Sequence, residues 1–220
     1  MLAITDESDL SPTGVVNNGS GTLINTGLGR FLVTNDHVYQ AFQNRHDARR
    51  VKLLMSAKDA FIDISDQPLV DRDPDFDLAV LRISEDLVDF HGKTYSPWPS
   101  WPSPRPEEGM GVYVYGYPKL GREILEGSLG IRTALVNMKV ASVGERHFIL
   151  ADVDNDLEST TPTGAKKLTS LGGMSGSAVY VLTHSKDDMF VGGFMCQANS
   201  LGIIVAYADR IRADGTMNRS

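Results

Sequence analysis

Apolar residues in this chain fall in short runs: GTLINT, RFLVTND, VKLLMSA, FDLAVLRI, GVYVYGY, SLGIRTALV, KVASV, RHFILADV, SGSAVYVL, MFVGGFMCQ and LGIIVAYA. Most are rich in β-branched or aromatic residues and are bounded by Gly, Asn, Asp or Pro, as strands are. No long amphipathic helix is visible. Short helical turns are predicted after His37 (VYQAFQNR) and at the end of the chain (YADRIRAD). Many short strands between turn residues predict an all-β sandwich or barrel.

The run pattern breaks once, at HGKTYSPWPSWPSPRPEEGM, residues 91–110, where five prolines and two tryptophans interrupt it. This stretch reads as a linker between two β units. The expected organisation is an N-terminal tail over 1–13, a first unit over 14–90, the linker over 91–110, and a second unit over 111–220. Trp98 and Trp101 are expected to pin the linker onto the units rather than to serve as a recognition motif. SKDDMF, around 185–190, reads as a hairpin turn, so the segment after residue 175 is strand–turn–strand. The segment 155–170 reads as a polar loop.

Composition sets the broad class. With 220 residues, 41% hydrophobic and 22% charged, the chain is long enough for a substantial core in one large or two closely packed units. Mean hydropathy is −0.16. The net charge of −7 and pI near 5.2 disfavour a general grip on nucleic acid. The basic cluster Arg45, His46, Arg49, Arg50, Lys52 is interrupted by Asp47 and reads as a solvated loop. The single cysteine, Cys196, has no partner within the chain, which points to a reducing compartment. The N-terminus has no basic or apolar leader pattern, and no run is long enough to span a membrane. The expectation is a cytoplasmic protein without membrane association.

Three segments carry candidate chemistry. LGGMSGSAVY, residues 171–180, sets Ser175 in a Gly-x-Ser-Gly turn that opens into an apolar run. Such a turn exposes a hydroxyl and frees neighbouring N–H groups, as a nucleophile and an oxyanion hole require. FLVTNDHVYQ, residues 31–40, runs from a strand into a turn with His37, a candidate general base. DPDFDLAVLRI, residues 73–83, places Asp77 where an acidic turn meets a strand. Any one of these residues has an ordinary structural explanation. Together they run His37, Asp77, Ser175, which is the chain order of chymotrypsin-type enzymes and not of subtilisins or α/β-hydrolases. A hydrolase elbow also needs glycine at position 177, which is Ser177. Zinc chemistry is disfavoured because there is no H-E-x-x-H and no paired cysteine motif. Neither a metal nor a cofactor is expected.

The blocks GSGTLI (19–24), TNDHV (34–38), DFDLAVL (75–81) and GMSGSAV (173–179), in this order, resemble trypsin/chymotrypsin-fold serine peptidases. The closest likeness is to the bacterial trypsin-like group that includes HtrA-type proteases. The resemblance implies two packed six-stranded antiparallel β-barrels with a short C-terminal helix. It implies a serine endopeptidase in which His37 is the base, Asp77 its orienting acid and Ser175 the nucleophile. The N–H groups of Gly173 and Ser175 form the implied oxyanion hole. The implied specificity pocket has Thr169 at its floor, Met195, Cys196 and Gln197 on one wall and Gly202 on the other. With no acid at the floor, a neutral P1 residue is expected. For Cys196 a buried packing role is an equal alternative. Met174 stands where digestive members carry an aspartate that pairs with a newly cut N-terminus, so cleavage activation is not expected. No PDZ-like module is expected after the second unit. Partners are then a protein or peptide substrate and a regulatory protein that orders a loop. The competing readings are a catalytically silent peptidase-fold interaction module and an esterase using the same residues.

Overall fold

The computed structural model of the chain describes residues 2–6, 18–43, 51–54, 61–63, 67–84, 101–118, 122–125, 128–131, 134–152, 158–161, 164–167, 171–183, 188–199 and 202–219. The first unit holds β1 (Leu2–Asp6), β2 (Asn18–Asn25), β3 (Arg30–Thr34), helix α1 (Asp36–Gln43), β4 (Val51–Leu54), β5 (Phe61–Asp63), β6 (Leu69–Asp73) and β7 (Leu78–Arg82). The second holds β8 (Gly111–Gly116), β9 (Arg122–Leu125), β10 (Ser128–Ile131), β11 (Ala134–Val143), β12 (His147–Asp152), β13 (Glu158–Thr161), β14 (Gly164–Lys167), β15 (Ala178–Leu182), β16 (Met189–Asn199) and β17 (Gly202–Tyr207).

The first unit is a seven-stranded antiparallel sheet in the order β5-β4-β1-β2-β3-β7-β6. It has one strand more than the six expected, because Leu2–Asp6 lies in the segment read as a tail. That strand inserts between β2 and β4. The second unit closes six strands into a barrel, β11-β12-β17-β16-β15-β8. Period-two burial drives this closure. In β8, Val112 and Val114 face the interior while Tyr113 and Tyr115 lie half-buried on the other face. In β11, Ala134, Val136, Met138 and Val140 point in, and the residues between them are exposed. β11 is one strand where two had been read, SLGIRTALV and KVASV. The hairpin β9–β10 occupies 122–131, and β13–β14 forms a second hairpin inside the expected polar loop. β15 and β16 pair antiparallel, as the strand–turn–strand reading requires.

β3 and β7 break the alternation and are buried on both faces, except for Arg30 and Arg82 at their ends. The second unit covers one of those faces. A single apolar cluster joins Ile24, Phe31, Val33, Phe76, Leu78 and Val80 of the first unit to Ala178, Val191, Phe194 and Cys196 of the second. The chain end adds Ile211 and Met217 to this cluster. The terminal helix is a single 3-10 turn, Ala208–Arg210, because the chain returns at once to an Ile211–Met217 bridge. Trp101 packs partly buried against the same cluster and donates Nε1–H to the Ile211 carbonyl at 2.8 Å. Trp98 lies outside the described residues.

Phe194 is fully buried at the centre of this contact. Phe194→Ala is expected to cost about 3–5 kcal/mol. Urea unfolding followed by tryptophan fluorescence measures it. A loss below about 1 kcal/mol would mean that the interface does not hold the fold together.

Candidate active site

The strand β3 ends at Thr34, and Asn35 takes the N-cap position of α1, its carbonyl accepting from the Tyr39 N–H at 3.0 Å. His37 therefore sits in the first turn of a helix rather than in a free turn. Its backbone N–H has no partner inside the helix, and the Asp77 carboxylate accepts it, Oδ1 at 2.9 Å. The same carboxylate accepts from His37 Nδ1, Oδ2 at 2.7 Å, and from the Asn35 side-chain amide at 3.0 Å. The Asn35 amide also donates to the Asp77 carbonyl at 2.8 Å.

Asp77 is brought there by a four-residue turn after β6. The Asp73 carboxylate accepts the Asp75 N–H at 2.9 Å, and the Asp77 N–H reaches back to Pro74 O at 3.3 Å. Asp77 has φ 52°, the left-handed region that aspartate tolerates better than most residues. Phe76 anchors the turn from below. Its ring lies under the Arg210 and Arg146 guanidinium groups, at 4.2 and 4.7 Å.

With a carboxylate on Nδ1, the proton sits on that nitrogen and Nε2 keeps its lone pair. Hydrogen bonding to Asp77 raises the His37 pKa above its ordinary value. Burial opposes this, and the charges of Asp77 and Asp36 add to the rise. The imidazole is 57% exposed, so Nε2 is open to a reactant.

The Ser175 segment is built from two consecutive turns. Met174 N–H bonds to Leu171 O at 3.1 Å, and Ser177 N–H to Met174 O at 2.9 Å. The third residue of each turn is a glycine at positive φ, Gly173 at 90° and Gly176 at 88°. The second residues, Gly172 and Ser175, are not at positive φ. That combination is the type II turn. In it the peptide before Gly173 is turned over relative to a type I turn, so its N–H leaves the turn on the other side. Among the described residues, the N–H groups of Gly173 and Ser175 make no hydrogen bond.

The first unit clamps this segment. Ser20 N–H donates to Ser175 O at 2.8 Å, Ser20 Oγ–H to Gly173 O at 2.9 Å, and Thr22 Oγ1–H to Gly176 O at 3.0 Å. Thr34 in turn donates to Ser20 O at 2.9 Å. A Cβ on Gly176 would run into that Ser20 carbonyl oxygen and Thr34. β16 holds the other side, with Gly176 N–H on Met195 O at 2.9 Å. The clamp brings the serine turn against the strand end that leads into His37. Among the described residues, the Ser175 hydroxyl makes no hydrogen bond to His37. In enzymes without substrate, such bonds are often long.

The expected pocket residues are placed unevenly. Met195 is buried in the barrel core and Cys196 in the inter-unit core, while Gln197 is exposed and Gly202 half-exposed. A bulge between Met195 and Gln197 turns Cys196 toward Phe76, whose carbonyl its thiol approaches at 3.3 Å. Burial pushes the Cys196 pKa up to about 12, so the thiol stays protonated. Thr169 lies outside the described residues. Met174 is fully buried in the barrel core. Among the described residues, no three His, Cys, Asp or Glu side chains converge as metal ligands. Sequence reasoning missed Asn35, Ser20 and Thr34. TNDHV and GSGTLI do contain them, but small polar residues beside turns carry no signal of their role.

The family model described as a trypsin-like peptidase domain matches residues 19–185. The chain belongs to the trypsin-like peptidase family. Solved structures of low sequence identity show the same fold. The serine protease domain of the Sesbania mosaic virus polyprotein matches at 16% identity and TM-score 0.51, covering 93% of this chain and 86% of that one. A structure concerned with the coupled folding and binding of the disordered Sesbania mosaic virus VPg protein matches at 14% identity and TM-score 0.53. It covers 93% of this chain and 82% of the other. No curated protein matches the chain.

The raised His37 pKa has a testable sign. A raised folded value means the pair's stabilisation is present below the ordinary imidazole pKa and fades as pH climbs through the raised one. In an NMR titration, the His37 Hε1 midpoint should lie above about 6.5 and fall in Asp77→Asn. An unchanged midpoint in that variant would show that the carboxylate does not set the imidazole charge.

Proposed function

We propose that this peptidase domain is an active serine endopeptidase that cleaves protein substrates through Ser175, His37 and Asp77. His37 Nε2 takes the Ser175 proton as the hydroxyl oxygen attacks the scissile carbonyl carbon. Asp77 stabilises the resulting imidazolium through Nδ1–H, and the carbonyl oxygen becomes an anion facing the Gly173 and Ser175 N–H groups. Collapse of that intermediate breaks the C–N bond, and the imidazolium gives its proton to the leaving amine. Water, deprotonated by the same His37, then hydrolyses the acyl-enzyme.

The observation that carries this reading is the pair of glycine turns around the serine, in which, among the described residues, the Gly173 and Ser175 N–H groups make no hydrogen bond. A silent interaction module would have no need to hold Gly173 at positive φ. The buried Met174 supports a site that needs no newly cut N-terminus. Control then falls to a partner or to loop ordering.

A fluorophosphonate probe tests the reading. The wild-type chain should be labelled, and Ser175→Ala should abolish labelling. Asp77→Asn should slow labelling by about 10⁴-fold, the loss a wrong tautomer produces in this family. Absence of wild-type labelling, with and without added protein substrates, would leave the interaction module as the better reading.

The pocket is expected to take a neutral P1 side chain, since the candidate walls offer Gln197 and Gly202 but no charge. Peptide-library cleavage should therefore favour apolar or small residues. A dominant preference for Lys or Arg would overturn this assignment.

A further inference from the structure

Asp36 immediately precedes His37 and is the first residue of α1, yet its side chain is only 9% exposed. It meets the Arg72 guanidinium at two points: Nη2 donates a hydrogen bond to Oδ2 at 3.0 Å, and Nε lies 2.8 Å from Oδ1 as a charge contact without hydrogen-bond geometry. One hydrogen bond and one close charge contact together restrain the guanidinium against the carboxylate. Arg72 lies on β6, the strand that runs directly into the turn presenting Asp77. β6 is itself tied down at this place. Asp71 accepts the Met217 N–H at 2.9 Å and Arg219 Nη2 at 2.7 Å, and Arg219 also reaches Arg72 O at 3.3 Å.

We propose that Arg72 is a positioning residue for His37: its two-point ion pair with Asp36 pins the first turn of α1 to β6 and balances the Asp36 charge beside the imidazole. The pin joins the element that carries His37 to the strand that delivers Asp77, so the separation of the two is fixed twice. It also has an electrostatic side. Asp77 meets the imidazole from the turn after β6, and the charge of Asp36 acts on it from the neighbouring position of α1. Arg72 is the cation paired with Asp36. The Cys196 thiol lies behind Phe76 and carries no charge. Without Arg72, the unbalanced Asp36 charge would favour the protonated form of His37, which cannot accept the serine proton.

The role rests on the reading of His37 as the general base, but its test separates the two. His37 is titrated by NMR in the full chain, and fluorophosphonate labelling is followed against pH. Arg72→Gln should move the His37 midpoint upward and slow labelling at pH 6.5 by about threefold. Arg72→Lys should restore most of both. Asp36→Asn should move the midpoint the other way, and it carries the test if Arg72→Gln does not fold. A lowered melting temperature with His37 midpoints unchanged in Arg72→Gln and Asp36→Asn would reduce Arg72 to a structural salt bridge. A wild type that titrates as expected but takes no label would overturn the peptidase reading and leave the Arg72 role standing.

Discussion

The Asp77 carboxylate accepts the His37 backbone N–H, the His37 Nδ1–H and the Asn35 amide. One side chain thereby caps a helix, orients a ring, assigns a tautomer and joins the turn after β6 to the turn after β3. The backbone conformation that delivers it is unfavourable for most residues. It is held by Asp73 within the turn and by the guanidinium groups around Phe76, which come from the second unit. The electrostatics of His37 follow from that placement and do not need a deeply buried imidazole.

The serine segment depends on a complementary set of bonds. Ser20 and Thr22 on β2 hold three successive parts of it, and β16 holds the other side. Hydroxyls suit this task because they donate to the turn's carbonyls without bringing charge near the candidate nucleophile. The glycines at 173 and 176 allow the backbone angles, and the clamp selects them. Met174, between them, supplies apolar anchorage in the barrel core, where a charged residue would require a buried partner.

Much of this was legible in the chain itself. The strand runs, the all-β class and the His37, Asp77, Ser175 candidates rest on local composition and order, which sequence carries directly. The hairpin after Ser175 was readable because its turn residues are polar and short. Other features were hidden for physical reasons. Leu69–Asp73 is a polar strand at the sheet edge, and Leu2–Asp6 takes its place between β2 and β4, the latter far along the chain. His37 looked like a turn residue because the helix cap comes from Asp77, forty residues downstream. The exposed and buried members of Met195–Gln197 are decided by a bulge, which has no composition of its own.

The clamp on the serine turn has a consequence for how the molecule comes apart. The candidate base and acid are carried by the first unit, and the candidate nucleophile by the second, while the hydroxyls that shape the nucleophile's backbone belong to the first. Neither half carries a finished site. The proposed chemistry would thus be a property of the docked pair, and a chain split between its units would gain it only as fast as the halves find each other.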